Sequence, residues 1–255
     1  MALRSLQKWH GAGNDFLVEV SEHGSAPWWG PARAKAVCDR HFGIGADGLL
    51  LASVGSEVAM TLYNADGSTA EMSGNGIRCL AAAVRRTTGG TWDTLDVATV
   101  TGTRTVTLKM EDMTGSGSVD MGEVTFGETM PGTLGVAYVG NPHVVVRDDP
   151  KWTDAMREEL ADELSTGMDG ANVEFLTVER DDHLSIKVVE RGVGWTKACG
   201  TGSCAVVAVA HRDEMCGTDV TVDNPGGALR VTLDGAVATL SGPVQFVANV
   251  EWLEA

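Results

Sequence analysis

Ser73-Gly-Asn-Gly-Ile-Arg-Cys79 returns 126 residues later as Cys199-Gly-Thr-Gly-Ser-Cys204. Ser73 and Cys199 hold the same place in the two stretches, each ahead of a Gly-x-Gly turn. Two further pairs of segments keep the same order along the chain. They are residues 45–51 facing 171–177, and residues 11–18 facing 140–146. Agreement of three separate segments in one order indicates an internal duplication rather than two chance glycine turns.

Strands dominate the regions around the repeated stretch. Short alternating or β-branched runs predict strands at residues 16–20, 58–63, 103–109, 144–147, 184–189, 229–233 and 237–240. A helix-length stretch follows each glycine turn, at 77–86 and 203–212, and it carries apolar residues on every side. A helix of that kind must be buried on all sides. The charged stretches 32–40 and 153–165 predict outer helices.

These elements predict an α+β fold with two pseudo-symmetric halves. In each half a mixed or antiparallel sheet curls around the central apolar helix. The N-terminal half covers residues 1–114, with 246–255 returning to it, and the C-terminal half covers 115–245. The small-residue stretch Met113–Ser118 is interpreted as the linker between them. We expect the active site in the cleft between the halves.

Composition excludes several classes of function. The 255 residues are 43% hydrophobic and carry a formal charge of −16, which argues against nucleic acid and anionic lipid as partners. We find no apolar run of membrane-spanning length and no signal peptide, so a cytoplasmic protein that does not bind membranes is expected. Five cysteines without a Cys-x-x-Cys pair argue against a disulfide or zinc framework, and no metal is predicted. A dinucleotide or pyridoxal phosphate signature is missing, so no cofactor is expected.

Both repeated stretches have the chemistry of a helix start that binds an anion. Ser73 and Cys199 are N-cap candidates, and the glycines after them let a ligand approach the backbone. The first turn of a helix presents N–H groups and a partial positive charge, which binds a carboxylate and lowers the pKa of a thiol. Two such starts facing one carbon could move a proton between its two faces. Cys79 and Cys204 fall among apolar positions and are interpreted as core residues.

Seven motifs spread in order over almost the whole chain resemble diaminopimelate epimerase. They are His10-Gly-Ala-Gly-Asn-Asp-Phe16, Arg40-His-Phe-Gly-Ile-Gly-Ala-Asp-Gly48, Asn64-Ala-Asp-Gly-Ser68, Gly74-Asn-Gly-Ile-Arg-Cys79, Gly140-Asn-Pro-His143, Glu190-Arg-Gly192 and Ala198-Cys-Gly-Thr-Gly-Ser-Cys204. The resemblance implies a cofactor-independent isomerase that interconverts LL- and meso-diaminopimelate for lysine and peptidoglycan biosynthesis. It also implies a homodimer of two-lobed subunits whose small-molecule substrate is an amino acid.

The resemblance also implies roles for individual residues. The family uses two cysteines as a thiolate base and a thiol acid. The second maps onto Cys199 and the first onto Ser73, with Glu190 beside Cys199 and His143 beside Ser73. Backbone N–H groups that would hold the carboxylate at the reacting carbon belong to Gly74, Asn75, Gly200 and Thr201. Side chains that would hold the distal end of the substrate are Asn14, Asn64, Asn141, Asn172 and Arg191.

Ser73 is the main departure from the family pattern. A hydroxyl is far less acidic than a thiol, and a helix start stabilises an anion by only about 0.3–1 kcal/mol. Three interpretations stay open. Ser73 is an engineered inactivating change, or a natural variant supported by His143 or water, or the mark of different chemistry such as elimination or isomerisation with one base. A protein that binds the amino acid without converting it is the alternative to an active epimerase.

Overall fold

The computed structural model describes residues 3–22, 28–168 and 170–253. The chain divides into two compact units. The N-terminal unit is Met1–Val119 together with Gly242–Ala255, and the C-terminal unit is Asp120–Ser241. The sequence analysis expected the chain to cross between the units at 114/115 and 245/246. The structure has the crossings at 119/120 and 241/242.

The N-terminal unit contains ten elements before the first crossing. In order they are β1 (Leu3–Gly11), β2 (Asn14–Glu22), α1 (Pro31–Cys38), β3 (Gly48–Val54), β4 (Val58–Asn64), β5 (Thr69–Ala70), α2 (Gly74–Thr88), β6 (Thr94–Thr99), β7 (Gly102–Glu111) and β8 (Thr114–Glu123). The last residues of β8 already belong to the C-terminal unit.

Among the described residues the C-terminal unit continues with eleven elements, and from β10 onward their types repeat the order of β1 to β8. They are β9 (Thr125–Phe126), β10 (Gly135–Val139), β11 (Asn141–Arg147), α3 (Asp154–Gly167), β12 (Asn172–Arg180), β13 (His183–Glu190), β14 (Gly194–Trp195), α4 (Gly200–Arg212), β15 (Asp219–Asn224), β16 (Gly227–Asp234) and β17 (Val237–Leu253). The second part of β17 returns to the N-terminal unit.

Strand pairing follows the same plan in both units. In the N-terminal unit the order is β17, β1, β2, β3, β4, β6, β7 and β8, and β8 also pairs with β17. In that series β2 runs parallel to β3 and β4 runs parallel to β6, whereas β17 with β1, β1 with β2, β3 with β4, β6 with β7 and β7 with β8 are antiparallel. The C-terminal unit repeats this with β11 parallel to β12 and β13 parallel to β15. The duplication and the predicted fold class, a mixed sheet curled into a barrel with a helix in each half, are confirmed.

The two helices that follow the glycine turns are the most buried helices described. In α2 every residue from Gly74 to Val84 is buried, and in α4 every residue from Gly202 to Ala210 is buried. The prediction of two helices enclosed by sheet is therefore confirmed. Cys79 and Cys204 have no exposed surface, as expected for core residues. Burial raises the pKa of the Cys79 thiol to about 12. No helix among the described residues is long and apolar enough to cross a membrane.

The interpretation of Met113–Ser118 as a linker is wrong, because residues 114–118 form the first half of β8. Their glycines meet a packing requirement. A Cβ at Gly117 would lie 2.9 Å from Leu108 Cδ2 and 3.1 Å from Arg78 Cδ, and a Cβ at Gly115 would lie 2.3 Å from the Lys109 carbonyl oxygen. In a strand, glycine marks a close approach as often as a chain break, and here it marks the close approach.

Candidate active site

The first half of the candidate site is the start of α2. Ser73 is the N-cap, with an extended backbone (φ −140°, ψ 121°), and its Oγ accepts a hydrogen bond of 3.0 Å from the Gly76 N–H. A Cβ at Gly76 would lie 3.0 Å from Ser73 Cβ and 3.4 Å from Phe16 Cε1, so only glycine fits without displacement. The helix start therefore combines a small polar cap with a close-packed first turn, as the sequence predicts.

A buried arginine hydrogen-bonds to this first turn of α2. Arg78 has no exposed surface, and its guanidinium donates to the Gly74 carbonyl at 2.9 Å and to Asn75 Oδ1 at 2.7 Å. Asn75, also buried, donates through Nδ2 to Asn14 Oδ1 at 3.3 Å. Two of the predicted substrate-binding residues, Asn14 and Asn75, are thus joined to each other and oriented by Arg78.

An ionic network fixes the other side of Asn14. Its Nδ2 donates to Asp47 Oδ2 at 2.8 Å, and Arg40 bridges Asp47 and Asp15 at 2.7 and 2.6 Å. Lys8 reaches Asp15 at 2.9 Å. Burial would raise the pKa of Asp15, but the hydrogen bonds from Arg40 and Lys8 lower it overall. Asp15 therefore stays ionised and holds Arg40, which also binds the Asp47 carboxylate that accepts the hydrogen bond from Asn14.

Asn64 lies at the same end of the N-terminal sheet. The Asp47 N–H donates to the Asp15 carbonyl and the Ala65 N–H donates to the Asp47 carbonyl, which joins the ends of three adjacent strands. The Asn64 amide nitrogen donates to Ser68 Oγ at 3.0 Å, within the turn after β4. Asn64 therefore lies at this edge of the sheet, and its side chain hydrogen-bonds within the turn that follows β4.

The second half of the site is the start of α4. Cys199 is the N-cap, with an extended backbone (φ −115°, ψ 114°), and its Sγ accepts from the Gly202 N–H at 3.3 Å. Thr201 Oγ1 lies 3.4 Å from the same sulfur. The Cys199 N–H donates to Asn224 Oδ1 at 3.3 Å, and Ser203 donates to the Cys199 carbonyl at 2.8 Å. The start of α4 thus repeats the geometry of the α2 start, with a thiol in the place of the hydroxyl.

Two buried titratable side chains lie beside this thiol. His143 and Glu174 have no exposed surface, and His143 Nδ1 is 2.7 Å from Glu174 Oε1. A ligand atom of each residue lies within 4.8 Å of Cys199 Sγ and of the other. Cysteine, histidine and glutamate are also the side chains that bind zinc. Zinc ligands stand roughly 3.3 Å apart in a tetrahedral site, so the 2.7 Å separation is that of a hydrogen bond.

The surroundings of Cys199 favour its protonated form. Burial raises the pKa of the thiol well above its ordinary value, and the negative charges of Glu190 and Glu174 raise it further. The hydrogen bonds from Thr201 and Gly202 act in the opposite direction but are smaller effects. In this structure Cys199 is therefore a thiol at neutral pH, which is the form that donates a proton.

The remaining predicted residues of the C-terminal unit flank the same strand ends. Asn141 Oδ1 lies 3.1 Å from His143 Nε2, and Asn172 Oδ1 accepts from the Arg191 backbone N–H at 2.9 Å. The Arg191 side chain is exposed and donates to the Gly170 carbonyl at 3.3 Å. Glu190 Oε1 accepts from Thr196 Oγ1 at 2.5 Å. All these groups belong to β11, β12, β13 or the loops that follow them.

His143 lies beside Cys199 in its own unit, whereas the sequence analysis paired it with Ser73. The duplication gives the reason for the arrangement. Strands β2 and β11 each begin at an asparagine, Asn14 and Asn141, and the residue two positions later is Phe16 in one unit and His143 in the other. Phe16 packs at the start of α2. The equivalent position is thus an apolar phenylalanine near Ser73 and a titratable histidine near Cys199.

Sequence reasoning missed Glu174, Arg78 and Asn224. Glu174 and Arg78 each interrupt a pattern that otherwise predicts a buried apolar core. Glu174 is an acid within the buried apolar run 171–176, and Arg78 is a cation on a helix expected to be buried on all sides. Such exceptions signal a buried polar network. Asn224 carries no comparable signal, because an asparagine at a strand end is common in turns.

A sequence model of the family described as diaminopimelate epimerase matches residues 6–127 and 135–247. Two curated diaminopimelate epimerases are similar along nearly their whole length. The Synechococcus elongatus protein is 35% identical over 277 residues, covering 94% of this chain and 98% of its own. The Synechocystis protein is 36% identical over 280 residues, covering 97% of this chain and 98% of its own.

Solved structures share the fold at low sequence identity. An epimerase predicted in Pseudomonas aeruginosa superposes with a TM-score of 0.78 at 13% identity, covering 99% of this chain and 100% of that one. A hydroxyproline epimerase from Agrobacterium vitis superposes with a TM-score of 0.78 at 15% identity, covering 98% and 92%. The family model and the curated relatives match the segments that contain both helix starts. The chain therefore belongs to the diaminopimelate epimerase family of amino-acid isomerases.

Proposed function

We propose that this chain interconverts LL- and meso-diaminopimelate by moving a proton at the α-carbon, with Cys199 and Ser73 as the groups on the two faces. The observation that carries the proposal is the match between the two helix starts. In each, the cap side chain accepts the N–H of the third residue of a glycine-rich first turn. Family members epimerise diaminopimelate in lysine biosynthesis, and the match extends that chemistry to these residues.

The substrate would be held at both of its ends. We propose that the α-carboxylate binds the first-turn N–H groups, where the helix dipole favours an anion. These N–H groups belong to Gly74, Asn75, Gly200 and Thr201. Residues proposed to hold the distal amino-acid end are Asn14, Asn64, Asn141, Asn172 and Arg191. The exposed guanidinium of Arg191 suits a distal carboxylate, because its planar fork can donate two parallel hydrogen bonds.

The two faces would contribute unequally. Cys199 is a thiol with titratable neighbours, so it can donate a proton to the carbanion and take one back as a thiolate. Ser73 binds a backbone N–H and lies against the apolar Phe16 position, where a hydroxyl cannot carry a stable negative charge at neutral pH. We therefore propose a working but slow epimerase whose Ser73 face limits the rate. A homodimer remains part of this proposal.

Proton exchange at one face only is the second candidate. It is favoured by the buried His143 and Glu174 beside Cys199, which equip that face for acid and base chemistry. A protein of this kind would exchange the α-hydrogen of one isomer and release the same isomer. It differs from the epimerase only in what Ser73 contributes.

Deuterium exchange distinguishes these functions. Each isomer is incubated with the protein in D₂O, and mass spectrometry and chiral chromatography follow the α-hydrogen and the configuration. The epimerase predicts deuterium in both isomers together with interconversion, and a Cys199→Ala variant should lose both. Deuterium in one isomer without interconversion would establish the second candidate. An absence of exchange, with retained binding of the amino acid, would leave a binding protein and contradict the proposal.

A further inference from the structure

Glu174 is a buried carboxylate that the proposed chemistry has not used. It is the third residue of β12, with apolar residues on either side of it, and none of its side chain is exposed. Oε1 is 2.7 Å from His143 Nδ1, and Oε2 has no hydrogen-bond partner among the residues that the structure describes. A buried acid is costly unless something compensates its charge, so its surroundings decide its role.

The start of α4 provides one compensation for that charge. A Cβ at Gly202 would lie 2.4 Å from Glu174 Oε1 and 3.2 Å from Cys199 Sγ. The absence of a side chain at Gly202 therefore lets the first turn of a 13-residue helix lie directly on the carboxylate. The positive end of the helix dipole favours the ionised form of an acid in that position.

His143 provides the other compensation. Its two ring nitrogens face two oxygen atoms, Glu174 Oε1 at 2.7 Å and Asn141 Oδ1 at 3.1 Å. Carboxylate and amide oxygens accept hydrogen bonds, so with the Asn141 amide in the orientation that the structure gives it, both ring nitrogens are placed to donate. A histidine that donates from both nitrogens is an imidazolium. The geometry thus places a buried histidine–carboxylate pair, in an arrangement that suits an imidazolium, within reach of the Cys199 sulfur.

We propose that Glu174 is a positioning residue that keeps His143 doubly protonated beside Cys199. The inference rests on the proposed function and adds a residue to it. When the Cys199 S–H bond breaks and the proton goes to the substrate carbanion, a thiolate is left facing the carboxylates of Glu190 on β13 and Glu174 on β12. The imidazolium on β11 is the cation that balances this charge. Without Glu174 the imidazolium would lose its partner and its proton.

Nitrogen NMR of the histidine side chains tests this without any turnover. In the ¹⁵N-labelled protein at pH 7, His143 should show two protonated ring nitrogens, and its signal is assigned by its loss in a His143→Asn variant. Glu174→Gln keeps the size of the side chain and removes its charge, so His143 should become a neutral imidazole. Glu190→Gln is the matched control, because it removes a second carboxylate that raises the pKa of Cys199 and whose Oε1 accepts from Thr196. In that control His143 should stay doubly protonated.

Activity provides the second readout. Deuterium exchange at the Cys199 face should fall about tenfold to a hundredfold in Glu174→Gln, the range typical for a residue that orients a reacting group, and KM should change little. Glu174→Asp should retain the doubly protonated signature, which keeps the test decisive if the glutamine variant does not fold. A singly protonated His143 in the unaltered protein, or a doubly protonated one in Glu174→Gln, would overturn the inference. A protein that exchanges no α-hydrogen but shows the imidazolium would contradict the proposed function and leave this inference standing.

Discussion

At the scale of single residues, the two helix caps differ by one atom that decides the chemistry. The hydroxyl of Ser73 and the thiol of Cys199 accept the same kind of backbone hydrogen bond, at 3.0 and 3.3 Å. Both are therefore adequate as structural caps. As proton carriers they differ by several pKa units, because a thiol ionises far more readily than a hydroxyl.

Ser73→Cys should raise the rate of epimerisation about 10²–10⁴-fold, which is the usual contribution of one general acid or base. The cap, the glycines after it and Arg78 below it are already in place, so only the proton-carrying atom changes. The first-turn N–H groups of α2 act to lower the pKa of a thiol at position 73, and that thiol can then alternate with Cys199 as base and acid. Rates with both isomers, measured beside Ser73→Ala, check this. An unchanged rate in the cysteine variant would show that serine is the functional group and that a different residue carries the second proton.

The residues of the site were predictable where the duplication or the family motifs mark them. Ser73, Cys199 and the glycines stand out because they recur at matching places in the two halves. Glu174 does not recur, since the residue at the matching place in the other half is Gly48. Its role depends on Gly202 bringing a helix start against it, and that contact joins residues 28 positions apart in the chain. Sequence patterns show the periodicity of an element and its buried face, but they do not show which distant residues come into contact.

At the scale of elements, α2 and α4 show why an apolar helix can support a polar site. Their long buried segments fix each helix against the sheet, so each cap and its first turn are held in place by packing along the whole helix. In β8, by contrast, the composition suggests a linker whereas the structure has a packed strand. Its glycines and serines are typical of a linker, but they are small because Leu108 and Arg78 pack against them. Composition alone cannot separate these two reasons for a small residue.

The buried thiol of α2 predicts a specific loss of stability at alkaline pH. The Cys79 thiol has a pKa raised by burial from 9.0 to about 12, so the folded chain keeps a proton that the unfolded chain loses above pH 9. This contribution to stability is complete below pH 9 and is lost as the pH rises toward 12. The free energy of unfolding should therefore fall by up to about 1.4 kcal/mol per pH unit in that range, from this group alone.

Urea unfolding of the unaltered protein and of Cys79→Ala isolates the effect, since all other titrating groups are common to both. The difference in unfolding free energy between the two proteins should be constant from pH 7 to 8 and should shrink between pH 9 and 10. A difference that stays constant through pH 10 would mean that Cys79 ionises in the folded protein as it does in the unfolded chain.

At the scale of the whole molecule, duplication supplies two equivalent helix starts and later substitution makes them unequal. The strand pairing is the same in both units, including the two parallel pairs in each. The difference is confined to side chains, with Phe16 and Ser73 at one start and His143 and Cys199 at the other. A molecule built in this way should exchange the α-hydrogen on one face of its substrate faster than on the other.

Exchanging the two cap residues should exchange the two faces. In the unaltered protein the isomer whose α-hydrogen points to Cys199 should lose it faster to D₂O. In the double variant Ser73→Cys, Cys199→Ser the thiol moves to the equivalent cap, so the opposite isomer should become the faster one. Its rate should be lower than the original, because the thiol at α2 adjoins Phe16 and lacks the imidazolium proposed beside α4. Cys199→Ser alone, with two hydroxyls, is the control and should exchange neither isomer appreciably. If the same isomer remained the faster one in the double variant, the two helix starts would not be equivalent catalytic positions, and the choice of face would depend on substrate orientation rather than on the cap residues.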